Sequence, residues 1–186
     1  VLSSLWVAPA GGDFPTWTPE VTFTTCVIGW LAVALTPLLG TSPATFTRIV
    51  ALIAQADLFF IVSHPLALAL IWALSAFTLW SELRSKAELR SLARLFAFYH
   101  VPSVLSFGVG AILLVKGHIG LALVPLGAGV LLRQAAFPLH SWFPALLERA
   151  PMGVVVAFFG PALGVYAHLE LLAQGLPRGL GDEAAT

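Results

Sequence analysis

Long apolar stretches separated by short polar joints dominate this chain. They cover residues 21–40, 48–63, 65–80, 95–115, 118–137 and 152–172. Each approaches the roughly 20 mostly apolar residues that a helix needs to cross the hydrocarbon core of a bilayer. The pattern therefore predicts an all-α, polytopic integral membrane helix bundle with about six transmembrane helices.

Two of the joints predict helical hairpins. Ser63 and His64 precede Pro65, and residues before proline avoid the α conformation, so a tight turn is expected between the second and third stretches. Lys116 and Gly117 form a similar short joint between the fourth and fifth stretches. Each pair of stretches should pack as two antiparallel helices.

The segment 133–151, RQAAFPLHSWFPALLERAP, interrupts the apolar pattern with Pro138, Pro144 and Pro151. Proline removes a backbone hydrogen bond, and in hydrocarbon the freed groups need protein or water as partners. We therefore expect a proline-split helix here, with residues 138–150 forming a half-helix or an interfacial helix. Broken helices of this kind often line transport pathways.

Composition agrees with a single membrane domain. Hydrophobic residues make up 59% of the chain and charged residues 10%, and the mean hydropathy is +0.94. We divide residues 1–186 into an external N-terminal segment (1–20), a transmembrane bundle (21–174) and a polar tail (175–186). The expected surroundings are the lipid bilayer and other membrane subunits. The formal net charge of zero does not favour nucleic acid as a partner.

Orientation follows from the segment 82–94, which carries Arg84, Lys86, Arg90 and Arg94. Short loops rich in lysine and arginine stay in the cytoplasm, so this predicted loop should be cytoplasmic, and the loop before Arg48 should lie on the same side. The expected location is the inner (cytoplasmic) membrane, in a multi-pass arrangement. A mitochondrial or other energy-converting membrane remains an alternative.

Arg133 is the first candidate site residue because it lies in an apolar stretch without an acid nearby in sequence. A charge at mid-membrane costs about 3 kcal/mol, so we expect a partner from another helix. Asp57, the only acid deep within a stretch, is the candidate. Two alternatives stay open: Arg133 could snorkel to the membrane surface, and Asp57 could serve helix packing alone.

His100 and His140 are candidates for a proton path, because imidazole takes up and releases protons near neutral pH. Both lie beside prolines, in FAFYHVPS and PLHSWFP. The alternative for each is a packed polar residue. No histidine pair has the spacing of a metal motif, and no catalytic or nucleotide-binding motif is present, so the sequence predicts no metal, no cofactor and no catalysis by the chain alone.

The segment 133–151 resembles the seventh-helix signature of the antiporter-like membrane subunits of respiratory complex I, membrane-bound hydrogenases, Mrp cation/proton antiporters and DabB-type inorganic-carbon pumps. That signature is a lysine, a few small residues, P-[FL]-H-x-W-[LF]-P and then A-P. Arg133 stands at the lysine, and the other matching positions are Pro138, His140, Trp142, Pro144, Ala150 and Pro151. A weaker similarity links HPLALALIW, residues 64–72, to the fifth helix of that family.

The resemblance implies a subunit that conducts protons or cations, whose helices correspond to the third to eighth of the family fold. The family's fifth-helix glutamate is replaced by Ala73. Glu82 could be a displaced equivalent, but its place beside Arg84 and Lys86 at the predicted helix end argues against that role. Arg133 holds its proton at any working pH, so it can bias a path electrostatically without relaying protons.

The length of 186 residues corresponds to about one of the family's two inverted repeats. The resemblance then implies a short or split member that works with a second antiporter-like half, within a complex such as an NADH dehydrogenase-like or inorganic carbon transport assembly. A peripheral catalytic subunit is a further expected partner. The alternative is a degenerate, non-conducting scaffold that anchors a catalytic partner to the membrane.

Overall fold

The computed structural model describes residues 18–38, 41–62, 64–136, 140–165 and 167, and within these ranges the regular structure is entirely helical. The seven α-helices are α1 (Thr18–Ala34), α2 (Pro43–Ile61), α3 (Pro65–Ser85), α4 (Arg90–Val115), α5 (Ile119–Arg133), α6 (Trp142–Arg149) and α7 (Met152–Phe159). The predicted all-α class is confirmed. Most of the predicted external segment and the whole predicted polar tail lie outside the described residues.

Three helical segments are long and apolar enough to cross a membrane: Pro43–Ile61, Pro65–Ser85 and Ala87–Val115. Three shorter apolar helices, Val21–Ala34, Gly120–Arg133 and Met152–Val165, accompany them. Large apolar side chains such as Phe23, Trp30, Phe98 and Val124 cover the outer surface. An apolar surface of this kind, together with helices of this length, indicates association with a membrane.

The α2–α3 pair forms the predicted hairpin. Ser42 caps α2 by accepting a hydrogen bond from the Thr45 backbone N–H (3.4 Å), and prolines occupy the first position of both helices, where their missing N–H is tolerated. Both helices are longer than the stretches predicted for them. Because α3 continues to Ser85 and α4 begins at Arg90, the loop expected over 82–94 is wrong: only Lys86 and a 3-10 turn, Ala87–Leu89, separate the two helices.

The α4–α5 pair forms the second predicted hairpin. Gly117 adopts a φ of 81° after the end of α4, and its N–H donates to the Leu114 carbonyl (2.9 Å), as in a glycine-terminated helix. Gly129 of α5 lies so close to α4 that a β-carbon there would be 2.9 Å from the Ser103 carbonyl oxygen. The lack of a β-carbon at Gly129 therefore allows α4 and α5 to approach this closely.

The region of the predicted break separates α5 from α6. Helix α5 ends at Arg133, and Ala135 adopts a φ of 54°, which takes the chain out of the helix. Pro144 lies in the first turn of α6, where its missing N–H is tolerated, and Pro151 has a non-helical conformation at the junction of α6 and α7. Pro138 lies outside the described residues.

Two hydrophobic clusters make up the interior. One includes Leu79, Leu83, Phe96, Trp142 and Phe158, and the other includes Phe59, Trp72, Phe107, Leu126 and Val130. The two clusters lie at different levels of the bundle, since α3 contributes Trp72 to one and Leu79 to the other. The candidate site lies where they meet.

Candidate functional site

Arg133, the last residue of α5, points into the protein. Its side chain is only 4% exposed, so the snorkelling alternative is wrong. Nη1 donates hydrogen bonds to Ser75 Oγ (2.9 Å) and to the Trp72 carbonyl oxygen (3.4 Å). Ser75 Oγ in turn donates to the same Trp72 carbonyl oxygen (2.9 Å), so α3 presents a small polar platform to the guanidinium.

This platform lies at the centre of a membrane-length helix. Ser75 is the middle residue of the 21-residue α3, and Trp72 is one turn earlier. The guanidinium carbon also lies over the Trp72 ring (4.4 Å to the centroid) and over the Phe158 ring (4.3 Å). Cation–π contact stabilises the charge, and more strongly where water is excluded. Arg133 thus bridges the two hydrophobic clusters through its aromatic contacts.

One edge of the guanidinium, at Nη2 of Arg133, is buried and has no hydrogen-bond partner in the described part of the chain. The side chain lines a cleft of about 260 Å³, together with Gln134, Phe158, Ala162, Leu163 and Gly164. We call this the Arg133 cleft. At about 30 Å³ per molecule in the liquid, it has room for several waters.

The backbone around the Arg133 cleft is irregular. Ala135 (φ 54°) and Ala162 (φ 51°) adopt left-handed conformations, which cost a residue with a β-carbon about 1–2 kcal/mol. Gly164 is close enough to the Gln134 side chain that an added β-carbon would lie 2.7 Å from Gln134 Cγ. Strained, non-helical backbone of this kind concentrates at functional sites and within membranes lines cavities.

His100 lies in the same region. It is 2% exposed on α4, its ring stacks on Phe96 (3.7 Å between centroids), and its Nε2 has no hydrogen-bond partner among the described residues. The His100 ring is 5.6 Å from Phe158, the ring that also contacts Arg133. The structure therefore brings together two of the predicted site residues, His100 and Arg133, around one phenylalanine.

A second unsatisfied donor adjoins His100. The Trp142 ring meets the His100 ring edge-on at 4.4 Å, and its buried Nε1 has no hydrogen-bond partner in the described ranges. Trp142 is the first residue of α6, the helix that follows α5 in the chain. Within the described residues, three buried nitrogens of Arg133, His100 and Trp142 therefore have no partner, which is unusual because buried polar groups are nearly always hydrogen-bonded.

Trp72 is held in place by a chain of hydrogen bonds across three helices. Its Nε1 donates to Ser103 Oγ (3.2 Å), and Ser103 Oγ donates to the Gly129 carbonyl oxygen (2.7 Å). The Trp72 ring also stacks on Phe107 at 4.4 Å. These contacts fix the aromatic surface on which Arg133 rests.

The expected pairing of Asp57 with Arg133 is wrong. No ion pair joins these two described residues, and Asp57 Oδ1 is buried without a hydrogen-bond partner in the described part of the chain. The core-facing stripe of α2 includes Ala56 and Phe59. Asp57 follows Ala56 by one position, about 100° around the helix, so its side chain leaves that stripe.

His140 is not part of the Arg133 cleft. It lies in an exposed turn before α6 and is absent from the cleft lining. The neighbouring Ser141 is tied to α4 by a hydrogen bond between its Oγ and the Tyr99 hydroxyl (2.7 Å). The structure therefore places His140 at the periphery of the break.

Glu82, predicted to lie at a helix end, is a buried acid. Glu82 is fully buried in α3, accepts a hydrogen bond from Thr45 Oγ1 (2.8 Å), and forms ion pairs with Arg48 and with Lys86 Nζ (3.2 Å). We call these four residues the Glu82 cluster. The assignment of Glu82 to a loop was wrong because the stretches were cut at charged residues, and charges that pair can continue a buried helix.

A signal for this cluster was present in the sequence. Arg48 lies sixteen residues before His64 and Glu82 lies eighteen residues after it. Residues at similar distances from the turn of an antiparallel hairpin lie at similar heights, about 1.5 Å per residue along each helix. The predicted hairpin therefore already placed opposite charges side by side.

The chemistry available at the Arg133 cleft is electrostatic. Arg133 keeps a fixed positive charge, His100 can carry a proton, and the cleft can hold water or a small solute. Among the described residues there is no group of three histidine, cysteine or acidic side chains that could hold a metal ion. No protein-family model, curated protein or solved structure matches this chain.

Proposed function

We propose that this chain is a membrane subunit of an ion-translocating complex, that protons are the translocated ion, and that it works together with partner subunits. One observation carries the proposal: Arg133 is buried against the midpoint of a membrane-length helix and lines a cleft, and its Nη2 has no partner among the described residues. Intramembrane charge is costly and tends to mark ion pathways. The resemblance to antiporter-like subunits points in the same direction.

In the proposed mechanism Arg133 supplies a fixed field and His100 carries the mobile proton. A proton that reaches His100 Nε2 makes imidazolium, which the nearby positive guanidinium repels. The proton therefore resides on His100 only briefly, or only when a negative charge enters the cleft. Arg133 acts as an electrostatic gate in this scheme, since a guanidinium does not release its own proton.

The bundle as a whole fits this function when the three shorter apolar helices also cross the membrane, which gives six spans. The proposed orientation places the ends that carry the Glu82 cluster in the cytoplasm and the chain in an inner membrane. The proposed partners are a second antiporter-like half and a peripheral catalytic subunit. A single repeat offers a half-channel, so a partner surface is needed to complete the path.

The test uses the intact complex purified through a tag on this chain and reconstituted into proteoliposomes. We expect Arg133→Gln and His100→Gln to reduce proton flux at least about tenfold, because the first removes the fixed charge of the proposed gate and the second removes the proton carrier, a kind of group typically worth about 100-fold or more. The matched control is Arg149→Gln, because Arg149 is exposed and donates to the Glu88 carbonyl and to Ser91 Oγ. Subunit composition by mass analysis verifies assembly. Unchanged flux in both site variants would contradict the proposal.

A scaffold function is the second candidate. It is favoured by the tight aromatic packing of His100 against Phe96 and Trp142. If the chain is a scaffold, both site variants should keep full activity of the complex. Deletion of the chain should then release the peripheral partner from the membrane.

A further inference from the structure

The open edge of Arg133 has the properties of an anion site. Nη1 is occupied by the α3 platform, and the rings of Trp72 and Phe158 cover the guanidinium. Nη2 makes no hydrogen bond to any residue that the structure describes, and Arg133 is more than nine-tenths buried. Arg133 also lines the cleft, so a group bound there would be a neighbour of this residue.

The charge of Arg133 lacks a neutralising group in the described part of the chain. The ion pairs there belong to Glu82, and Asp57 does not reach the guanidinium. A buried charge without a counter-charge is strongly destabilising, whereas aromatic rings and neutral hydroxyls compensate only part of the loss of hydration. An anion in the Arg133 cleft would compensate the rest of this loss of hydration.

The geometry selects the kind of anion. The directional N–H donors of a guanidinium match the oxygens of a planar oxyanion better than they match a spherical ion. The amide of Gln134, which also lines the cleft, offers further donors. The volume of about 260 Å³ accepts a group of the size of formate, acetate or bicarbonate together with water.

We propose that the Arg133 cleft binds a carboxylate-type oxyanion through the free edge of Arg133. The oxyanion is either a dissolved small anion or the side-chain carboxylate of a partner subunit, which share this chemistry. The inference concerns the same residue as the proposed function but rests on geometry alone. Its test measures binding and no ion flux, so the two can fail separately.

The experiment titrates sodium formate into the full chain, labelled with ¹⁵N-arginine, in lipid nanodiscs at constant ionic strength kept with sodium chloride. The Nη signals of Arg133, assigned by comparison with Arg133→Lys, should shift saturably, with a dissociation constant in the millimolar range. The signals of Arg149 should not move. Absence of a saturable shift at Arg133, or an equal response to chloride alone, would overturn the proposal.

Variants provide a second measurement, by calorimetry with formate. Arg133→Gln should weaken formate binding at least about tenfold, because a charge-assisted pair is lost, and Arg133→Lys should bind more weakly than wild type because the paired donors are gone. Equal binding by wild type and Arg133→Gln would overturn the proposal. Helical content by circular dichroism verifies folding, and the wild-type titration stands without the variants.

Two further comparisons identify the source of the oxyanion. Formate that binds the isolated chain but not the intact complex assigns the carboxylate to a partner subunit, and formate that binds both assigns the site to a dissolved anion. Glu170→Gln tests an acid of the chain itself. If this variant bound formate at least about tenfold more tightly than wild type, the Glu170 carboxylate would itself occupy the site at Arg133 Nη2, and the proposal would be wrong.

Discussion

The Glu82 cluster and the Arg133 cleft are two buried charge sites on the same helix, and they handle charge in opposite ways. Glu82 is surrounded by two cations and a hydroxyl, so its carboxylate is fully paired. Arg133 contacts aromatic rings and neutral oxygens, and one of its nitrogens stays without a partner in the described residues. Only seven residues of α3, about 10 Å, separate Glu82 from Ser75.

The difference separates a structural site from a functional candidate. Paired charges near a helix end fix the hairpin and leave nothing for a ligand, because every strong acceptor is used. An unpaired charge beside the middle of a membrane-length helix is costly. It serves a function only if an exchangeable partner, such as water, a proton or an anion, binds there. Mutations should therefore affect stability at the first site and function at the second.

The largest effect on stability is expected at the Glu82 cluster. Glu82→Gln leaves Arg48 and Lys86 together without a negative charge, so the free energy of unfolding should fall by about 3 kcal/mol. Denaturation with SDS in mixed micelles measures it. Glu88→Gln is the control, since Glu88 is an exposed acid on the neighbouring 3-10 turn and its loss should have little effect. Equal stability of both variants would contradict the role assigned to Glu82.

An intermediate effect is expected at the chain of hydrogen bonds beneath Arg133. Ser103→Ala leaves the buried Trp72 Nε1 and the Gly129 carbonyl without their partner, which should cost about 2 kcal/mol. Ser81→Ala is the matched control, because Ser81 Oγ only donates within its own helix to the Thr78 carbonyl (2.8 Å). A similarly small loss of stability in Ser103→Ala and Ser81→Ala would show that Ser103 does not position Trp72.

Arg133→Met should have a small effect on stability and a large one on function. An apolar side chain of similar length removes the uncompensated charge, so the unfolding free energy should stay within about 1 kcal/mol of wild type or rise. SDS denaturation measures stability, and calorimetry with formate measures binding, which should be lost. A loss of about 3 kcal/mol, as expected for Glu82→Gln, would mean that both sites are structural.

The smallest effect concerns the strained backbone of the Arg133 cleft. Ala135→Gly relieves a left-handed conformation and should stabilise the chain by about 0.5–1 kcal/mol. Ala136→Gly, at a neighbouring position without a positive φ, should be neutral or slightly destabilising. A loss of stability in Ala135→Gly would indicate that the left-handed conformation carries no strain.

Local signals in the sequence predicted the helices and the hairpins. Pro65 and Gly117 mark turns whatever the rest of the chain does, because they restrict or permit backbone conformations by themselves. Arg133 and His100 were found because a polar residue in an apolar stretch is conspicuous. The helix ends were placed less well, since cutting the stretches at charges shortened both α2 and α3.

Contacts between helices could not be predicted in the same way. Whether Asp57 meets Arg133 depends on the rotation of α2, and one residue changes the direction of a side chain by about 100°. Packing of Ala56 and Phe59 against the core fixes that rotation, and the sequence of α2 alone does not reveal its partners. The unsatisfied edge of Arg133 also became visible only with the positions of Trp72 and Ser75.

Water access to the Arg133 cleft is the central claim, and cysteine labelling tests it most directly. In a Cys26→Ser background, Gln134→Cys should react with a charged, membrane-impermeant thiol reagent, because thiolates form only where water reaches. Lipid-facing Val124→Cys and fully buried Ala122→Cys should not react. Labelling of Gln134→Cys alone among these three is the predicted result. No labelling of Gln134→Cys under conditions that modify Lys116→Cys in the α4–α5 turn would contradict the account.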